Sequence, residues 1–359
     1  MRVLVLNAGS SSLKAAVWDS GTVWRQSVDL GPAPNDAVER VLRSVPGGAV
    51  NAVGHRVVNG GEFQQSTPIS AEVRAAIARA AEFAPEHNKL ELAGIDTASR
   101  LFPGVPQFAV FDTAFHASMP DEAKLYPGPY AWFERGIRRF GFHGISHRYV
   151  SRRAAEMLGG RAARLISCHL GNGASLAAVR DGKSIDTTMG FTPLDGLMMG
   201  TRSGSVDPSI PIYLLRHGMA DAEGLDRMLN EESGLKGVSG ISGDMREIEA
   251  ARARGDGRAR LAFDVYVHRL CREAGGMAAS LGGVDALVFT AGIGENSAAV
   301  RAAACAQLAF LGVELDEETN GKCSGDCDIA TASSRVRVLV VKTDEDGEIA
   351  RECLRLVAR

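Results

Sequence analysis

The 359-residue chain has no run of about eighteen apolar residues, no block of like charge, and no close cysteine pair other than the one in "KCSGDC". The first absence leaves nothing to span a bilayer as a helix. The second goes with a formal charge of only -3 and argues against nucleic acid or a membrane surface as partner, since both favour a basic patch. Small anions stay open, because a net sum hides local arginines. The third excludes a four-cysteine structural zinc site. Reduced thiols are therefore the expectation for Cys168, Cys271, Cys305, Cys323, Cys327 and Cys353. The first residues also lack the basic region, apolar core and small-residue cleavage site of a secretory signal, so the expectation is a cytoplasmic protein.

What is present is an ordinary globular composition, 45% hydrophobic and 23% charged, on a chain longer than one core usually organises. The opening "VLVLNAGSSSLKAAVW" reads as strand, polar turn and strand, and "GTVWRQSVDL" follows a glycine turn as a third strand. Near the middle, "ARLISCHLGNGASLAAVRDGKSID" repeats that layout. "SSSLKAAVWDSG" and "GASLAAVRDG" share the order small, small, Leu, Ala-Ala-Val, Asp, Gly, which reads as an internal duplication.

Each copy precedes alternating helical and strand patterns, ending in the buried strand "DALVFTAG", a helix from Ser297 and "RVRVLVV". The expected class is α/β, with two similar lobes of mixed β-sheet flanked by helices around a central cleft. The expected domains are 1–116 plus 347–359, and 117–346.

Three glycine-bearing turns, "NAGSSS", "HLGNGAS" and "FTAGIGENS", let backbone amides approach a phosphate closely. In the third, a buried strand runs into glycines and then a helix expected to begin near Asn296 or Ser297, the layout that offers a helix N-terminus to an anion. "RRFGFHGISHRYV" gathers His143, His147 and three arginines, without the cysteines or His-Glu-x-x-His pattern of a zinc site. Ser146 reads there as an N-cap with His147 in the first turn. Arg56, at a strand end, and Arg202, in the irregular "GLMMGTRSGSVDP", carry the planar fork that matches carboxylate and phosphate oxygens.

Taken together, "VLVLNAGSSSLK", "HRVVNGGE", "FDTAFH", "RRFGFHGISHRYV", "HLGNGASL", "DTTMGFTPLDGLMMGTRSG", "SGLKGVSGISGDMR" and "FTAGIGENS" resemble the motifs of the acetate kinase family, in that family's order and over essentially the whole chain. The resemblance implies the duplicated, ribonuclease H-like fold of the acetate and sugar kinase/Hsp70/actin superfamily. It also implies reversible, direct in-line phosphoryl transfer between ATP and acetate, giving ADP and acetyl phosphate, with Mg2+ or Mn2+ and usually in a homodimer. A carboxylate is already ionised at neutral pH, so this chemistry needs positioning and electrostatic cover rather than a strong base.

By resemblance, Arg56 holds the substrate carboxylate, Arg202 and His143 stabilise the equatorial oxygens, and Asp112 orients the nucleophile or holds the magnesium shell. A cationic setting is expected to keep Asp112 ionised. Val58, Phe142 and Pro193 match the acyl pocket, Asn7 and Glu345 the magnesium-linked positions, and Lys14 a phosphate contact. Glu345 is preferred for the metal over the adjacent Asp346. The nucleotide is expected along His169, Leu170, Gly171, Asn172 and Gly173, along Asp244, Met245 and Arg246, and along Gly292, Ile293, Gly294, Glu295 and Asn296.

The sequence departs from the family in "APEHNKLEL", where Glu86 replaces the usual leucine before His87 and Lys89 the usual proline after Asn88. The expectation is that Glu86 turns away or pairs with Lys89 or another cation. A kinase for propionate or another short acid is the alternative, and a non-catalytic ATP-dependent clamp the remote one.

Overall fold

A computed structural model describes residues 1–8, 12–29, 34–80, 85–160 and 163–358, with no side chain described at 34 or 85–89. Two compact units emerge. The first comprises Met1–Ala117, Phe142–Tyr149 and Asp344–Arg359, and the second Ser118–Gly141 and Val150–Thr343. Residues 142–149, expected in the second domain, thus belong to the first. The reason is local: the Gly144 N–H donates to the Asp112 carbonyl at 2.9 Å, and His116 is hydrogen-bonded to the Phe142 carbonyl at 3.0 Å.

In the first unit, β1 (Val3–Ala8), β2 (Ser12–Trp18), β3 (Thr22–Asp29), β4 (Ala52–Val57), β5 (Thr67–Pro68) and β6 (Gln107–Phe111) form one sheet in the order β3-β2-β1-β4-β6-β5. The second unit repeats the plan with β7 (Arg164–Leu170), β8 (Ala174–Arg180), β9 (Lys183–Thr187), β10 (Ala286–Thr290), β11 (Cys327–Asp328) and β12 (Arg337–Val340), in the order β11-β12-β10-β7-β8-β9. Each sheet joins an antiparallel meander to parallel strands, and both meanders carry a register shift in the second hairpin, at Val17/Trp18 and at Ala178/Val179. The duplication read from "SSSLKAAVWDSG" and "GASLAAVRDG" is therefore structural. The second copy's turn has positive φ at both Asp181 (49°) and Gly182 (76°), the backbone that a two-residue Asp-Gly hairpin requires.

Strand burial follows position. β1 and β10 are buried at every residue, because each is covered on both faces, whereas the edge strand β3 alternates. In the first unit, Leu4, Leu6 and Val53 face one way, with apolar residues from the helices Pro34–Arg43 and Pro85–Leu101. Val3, Val5, Ala52, Phe108 and Val110 face the other way, against Ile349, Ala350 and Cys353 of the C-terminal helix Glu345–Val357. This parity sets the site, because Asn7, Arg56 and Asp112 continue the second series at the carboxyl ends of three parallel strands.

Three local expectations need correction. Ser146 does not cap its helix, which begins two residues earlier and runs Gly144–Met157; His143, at φ 56°, makes the entry. The glycines of "FTAGIGENS" are not a bare turn but form a short helix of their own, Ala291–Asn296, ahead of the helix expected from Asn296 or Ser297. Ser297 then caps the next helix, Ala298–Gln307, accepting from the Val300 N–H at 3.0 Å. Cys323 and Cys327 are not separate thiols but a disulfide, with Cα atoms 6.1 Å apart; Cys168, Cys271, Cys305 and Cys353 are free and buried.

Candidate active site

Arg56 is the centre of the first unit's polar cluster. Its Nε and Nη2 donate to Asp112 Oδ2 at 3.1 and 2.6 Å, and its Nη1 donates to Asn7 Oδ1 at 2.9 Å. The Asn7 amide in turn donates to Glu345 Oε2 at 3.2 Å. Lys14 stands directly across from Asn7 in the β1–β2 register. Asp346, the neighbour of Glu345, is held elsewhere by Arg25 at 2.9 Å.

Electrostatics in this cluster are set by burial as much as by charge. Asp112 and Glu345 hold Arg56 in its cationic form against the cost of desolvation. For Asp112, burial is the largest influence and pushes the carboxyl above its ordinary value, against the pull of Arg56 and a hydrogen bond from the His143 backbone N–H.

Phe142, which precedes His143, and Val58, two residues after Arg56, are buried. His143, half-buried, is carried by the segment that Gly144 anchors: a Cβ on Gly144 would stand 2.0 Å from the Asp112 carbonyl oxygen, so only glycine permits the approach.

A carboxyl that went unnoticed in the sequence, Glu91, also reaches this end of the sheet. It projects from Pro85–Leu101, and its Oε1 accepts the Val58 N–H at 2.9 Å. The one available signal in the sequence was its place a turn after "EHN". The side chains of Glu86, His87 and Lys89 lie outside the described residues, as do Gly9, Ser10 and Ser11 of the first turn.

In the second unit, Gly171, Asn172, Asp244, Met245, Arg246, Gly292, Ile293 and Asn296 line a cavity of about 730 Å³. Its wall also includes Glu249 and Ser297, hydrogen-bonded to each other and not among the expected nucleotide residues; Glu249 lies one helical turn beyond Met245. Asp244 caps that helix by accepting from the Arg246 N–H at 2.9 Å.

The remaining expected nucleotide residues are not among those lining this cavity. His169 and Leu170 are buried at the end of β7, and the Gly171 N–H closes on the Gly173 carbonyl at 3.0 Å. Glu295 Oε1 accepts the Ala291 and Thr343 N–H groups at 2.8 and 3.0 Å. The Gly294 and Glu295 carbonyls are bound by buried Arg301 at 3.0 and 2.9 Å.

Arg202 and Pro193 meet in the same unit: Arg202 Nη1 donates to the Pro193 carbonyl at 2.9 Å. No carboxylate pairs with Arg202 among the described residues. Burial alone pulls its guanidinium down from the ordinary value.

A duplicated α/β fold with an arginine–carboxylate cluster in one unit and a glycine-walled cavity in the other defines a phosphotransferase. The acetokinase family profile matches residues 35–351. An acetate kinase of Gloeobacter violaceus is 51% identical over 405 aligned positions, covering all of both chains. The crystal structure of Porphyromonas gingivalis acetate kinase superposes with a TM-score of 0.91 at 39% identity, covering 99% of each chain. That of a Francisella tularensis propionate kinase gives 0.90 at 38%, with the same coverage. This chain belongs to the acetokinase family.

Proposed function

We propose that the chain is an acetate kinase, transferring a phosphoryl group reversibly between ATP and acetate to give ADP and acetyl phosphate. The Arg56 cluster carries this reading, because a half-buried arginine at the carboxyl ends of parallel strands, flanked by buried apolar Val58 and Phe142, suits a small acid with a short tail. Acetate arrives ionised, so no proton need be removed before attack. Arg56 holds the carboxylate and Asp112 fixes the guanidinium. The unpaired cation of Arg202 and the imidazole of His143 cover charge on the transferring group, Lys14 contacts a phosphate, and the 730 Å³ cavity takes the nucleotide.

Mg2+ fits the oxygen donors present. The Glu345 carboxylate offers an oxygen ligand of the kind Mg2+ takes when phosphates and water complete its shell, and Asn7, whose Oδ1 here accepts from Arg56, would join it on turning its amide. The ion would neutralise phosphate charge there.

A homodimer is supported by the helix Ser209–Arg216, which buries none of its residues and leaves Ile210, Ile212, Tyr213 and Leu215 exposed, a surface that a second copy would cover. We place the enzyme in the cytoplasm, where ATP is available; no described helix is long and apolar enough to cross a membrane.

Propionate is the second reading, favoured by the near-equal likeness to a propionate kinase structure. Incubation with ATP, Mg2+ and each of formate, acetate, propionate and butyrate, trapping acyl phosphate with hydroxylamine, tests both. Acetate foremost is expected; propionate foremost supports the second reading, and no product with any acid refutes both.

A further inference from the structure

Glu91 is 2% exposed, yet only one of its carboxyl oxygens is used: Oε1 accepts the Val58 N–H, while Oε2 is buried without a hydrogen-bond partner among the described residues. Two more buried polar atoms nearby in the chain's path share that condition, Asn59 Nδ2 and Thr113 Oγ1, on the residues that follow Val58 and Asp112. A folded chain rarely leaves several such atoms together unless something else satisfies them.

We propose that Glu91 is a further substrate-binding group of this site, its Oε2 hydroxyl donating a hydrogen bond to the carboxylate that Arg56 holds. This rests on the function proposed above.

The argument is one of proton placement. The Val58 N–H makes Oε1 the accepting, carbonyl-like oxygen, so a proton on this carboxyl must sit on Oε2. Burial pushes the group up to about 8, with Arg56 pulling it down and Asp112 raising it further; these two are the charged groups facing it from β4 and from the end of β6. Burial therefore favours its neutral form. A neutral Oε2–H and the Asn59 Nδ2–H are donors lacking acceptors, and a bound carboxylate brings acceptors only. An ionised Glu91 would instead repel it.

The test is steady-state kinetics of the full chain with Mg-ATP and acetate from pH 6.5 to 9.5, using Glu91→Gln and Glu91→Leu. Glutamine keeps an acceptor for Val58 and a permanent donor, so KM for acetate is expected within about threefold of wild type at pH 7. Wild-type KM is expected to rise above pH 8 by about tenfold per pH unit, as Glu91 ionises, and the Gln variant to stay flat. Leucine is expected to raise KM for acetate about tenfold or more, the loss of one hydrogen bond to a charged group, with KM for ATP unchanged.

A flat wild-type profile, or equal KM increases in the two variants, overturns the proposal in favour of a scaffolding role through Val58. Should the Leu variant fail to fold, the wild-type and Gln profiles decide. Absence of acyl phosphate from wild-type chain with any acid would instead refute the function beneath it.

Discussion

Replacing Gly144 by alanine should damage both folding and catalysis, and the structure sets the size. The new Cβ would lie 2.0 Å from the Asp112 carbonyl oxygen and 2.9 Å from Phe115 Cβ, against an ordinary contact of 3.4 Å or more, so the two segments must part by about 1.4 Å. That separation stretches the 2.9 Å hydrogen bond from the Gly144 N–H to the same oxygen. Overpacking costs about 1–3 kcal/mol and the weakened bond about 1 more, so a loss of about 2–4 kcal/mol is expected.

The chemistry should suffer separately, because the displaced peptide links His143 to Asp112. A shift of this order costs about a hundredfold in rate. Thermal denaturation and acetate-dependent ADP release should therefore show a lowered Tm, a kcat reduced about a hundredfold and a nearly unchanged KM for ATP. Gly276→Ala is the control: it lies exposed within the helix Gly257–Leu281, its Cβ would meet nothing within 4 Å, and it should stabilise by up to about 1 kcal/mol. Wild-type Tm and kcat in Gly144→Ala would refute the reasoning.

Two further predictions concern burial of charge. His55, 2% exposed and bonded to Gln107 at 2.7 Å, is held down to about 4 by desolvation. A depressed histidine contributes stability that is full above about pH 6.5 and lost as pH falls through 4, here about 3 kcal/mol. Urea midpoints at pH 7 and pH 4 should converge in His55→Gln relative to wild type, and an undiminished acid loss in the variant would count against it. Arg202→Met should abolish at least 99% of kcat, in the order of a lost transition-state donor, while leaving Tm equal or higher, because a buried guanidinium without a counter-charge costs stability. A clearly lowered Tm would show that Arg202 is structural.

Legibility in the sequence followed the range of the forces involved. The duplication was visible because strand pairs and tight turns are local: Leu13 and Leu176 occupy matching strands, and "DG" fixes a hairpin wherever it falls. Arg56 was legible as a strand-end charge beside a glycine-bearing loop, and Asp112 through the family motif "FDTAFH". Glu91 was not, since a carboxylate at one helix position looks the same whether it meets water or the end of a buried strand 33 residues away. Arg301 escaped for the same reason: its partners Gly294, Glu295 and Asn320 gather around it only when three helices pack. The "GIGEN" glycines were misjudged because helix propensity disfavours them, whereas Arg301 and Glu295 supply hydrogen bonds that outweigh it.

The most direct measurement is 31P NMR of the purified chain with Mg2+, ATP and acetate, run beside Arg56→Gln, and then with ADP and acetyl phosphate in reverse. Acetyl phosphate and ADP forming in one direction and ATP in the other, both with wild type and neither at a comparable rate with the variant, is the predicted result. ATP bound but unchanged in the presence of acetate, or equal turnover by Arg56→Gln, would contradict the account.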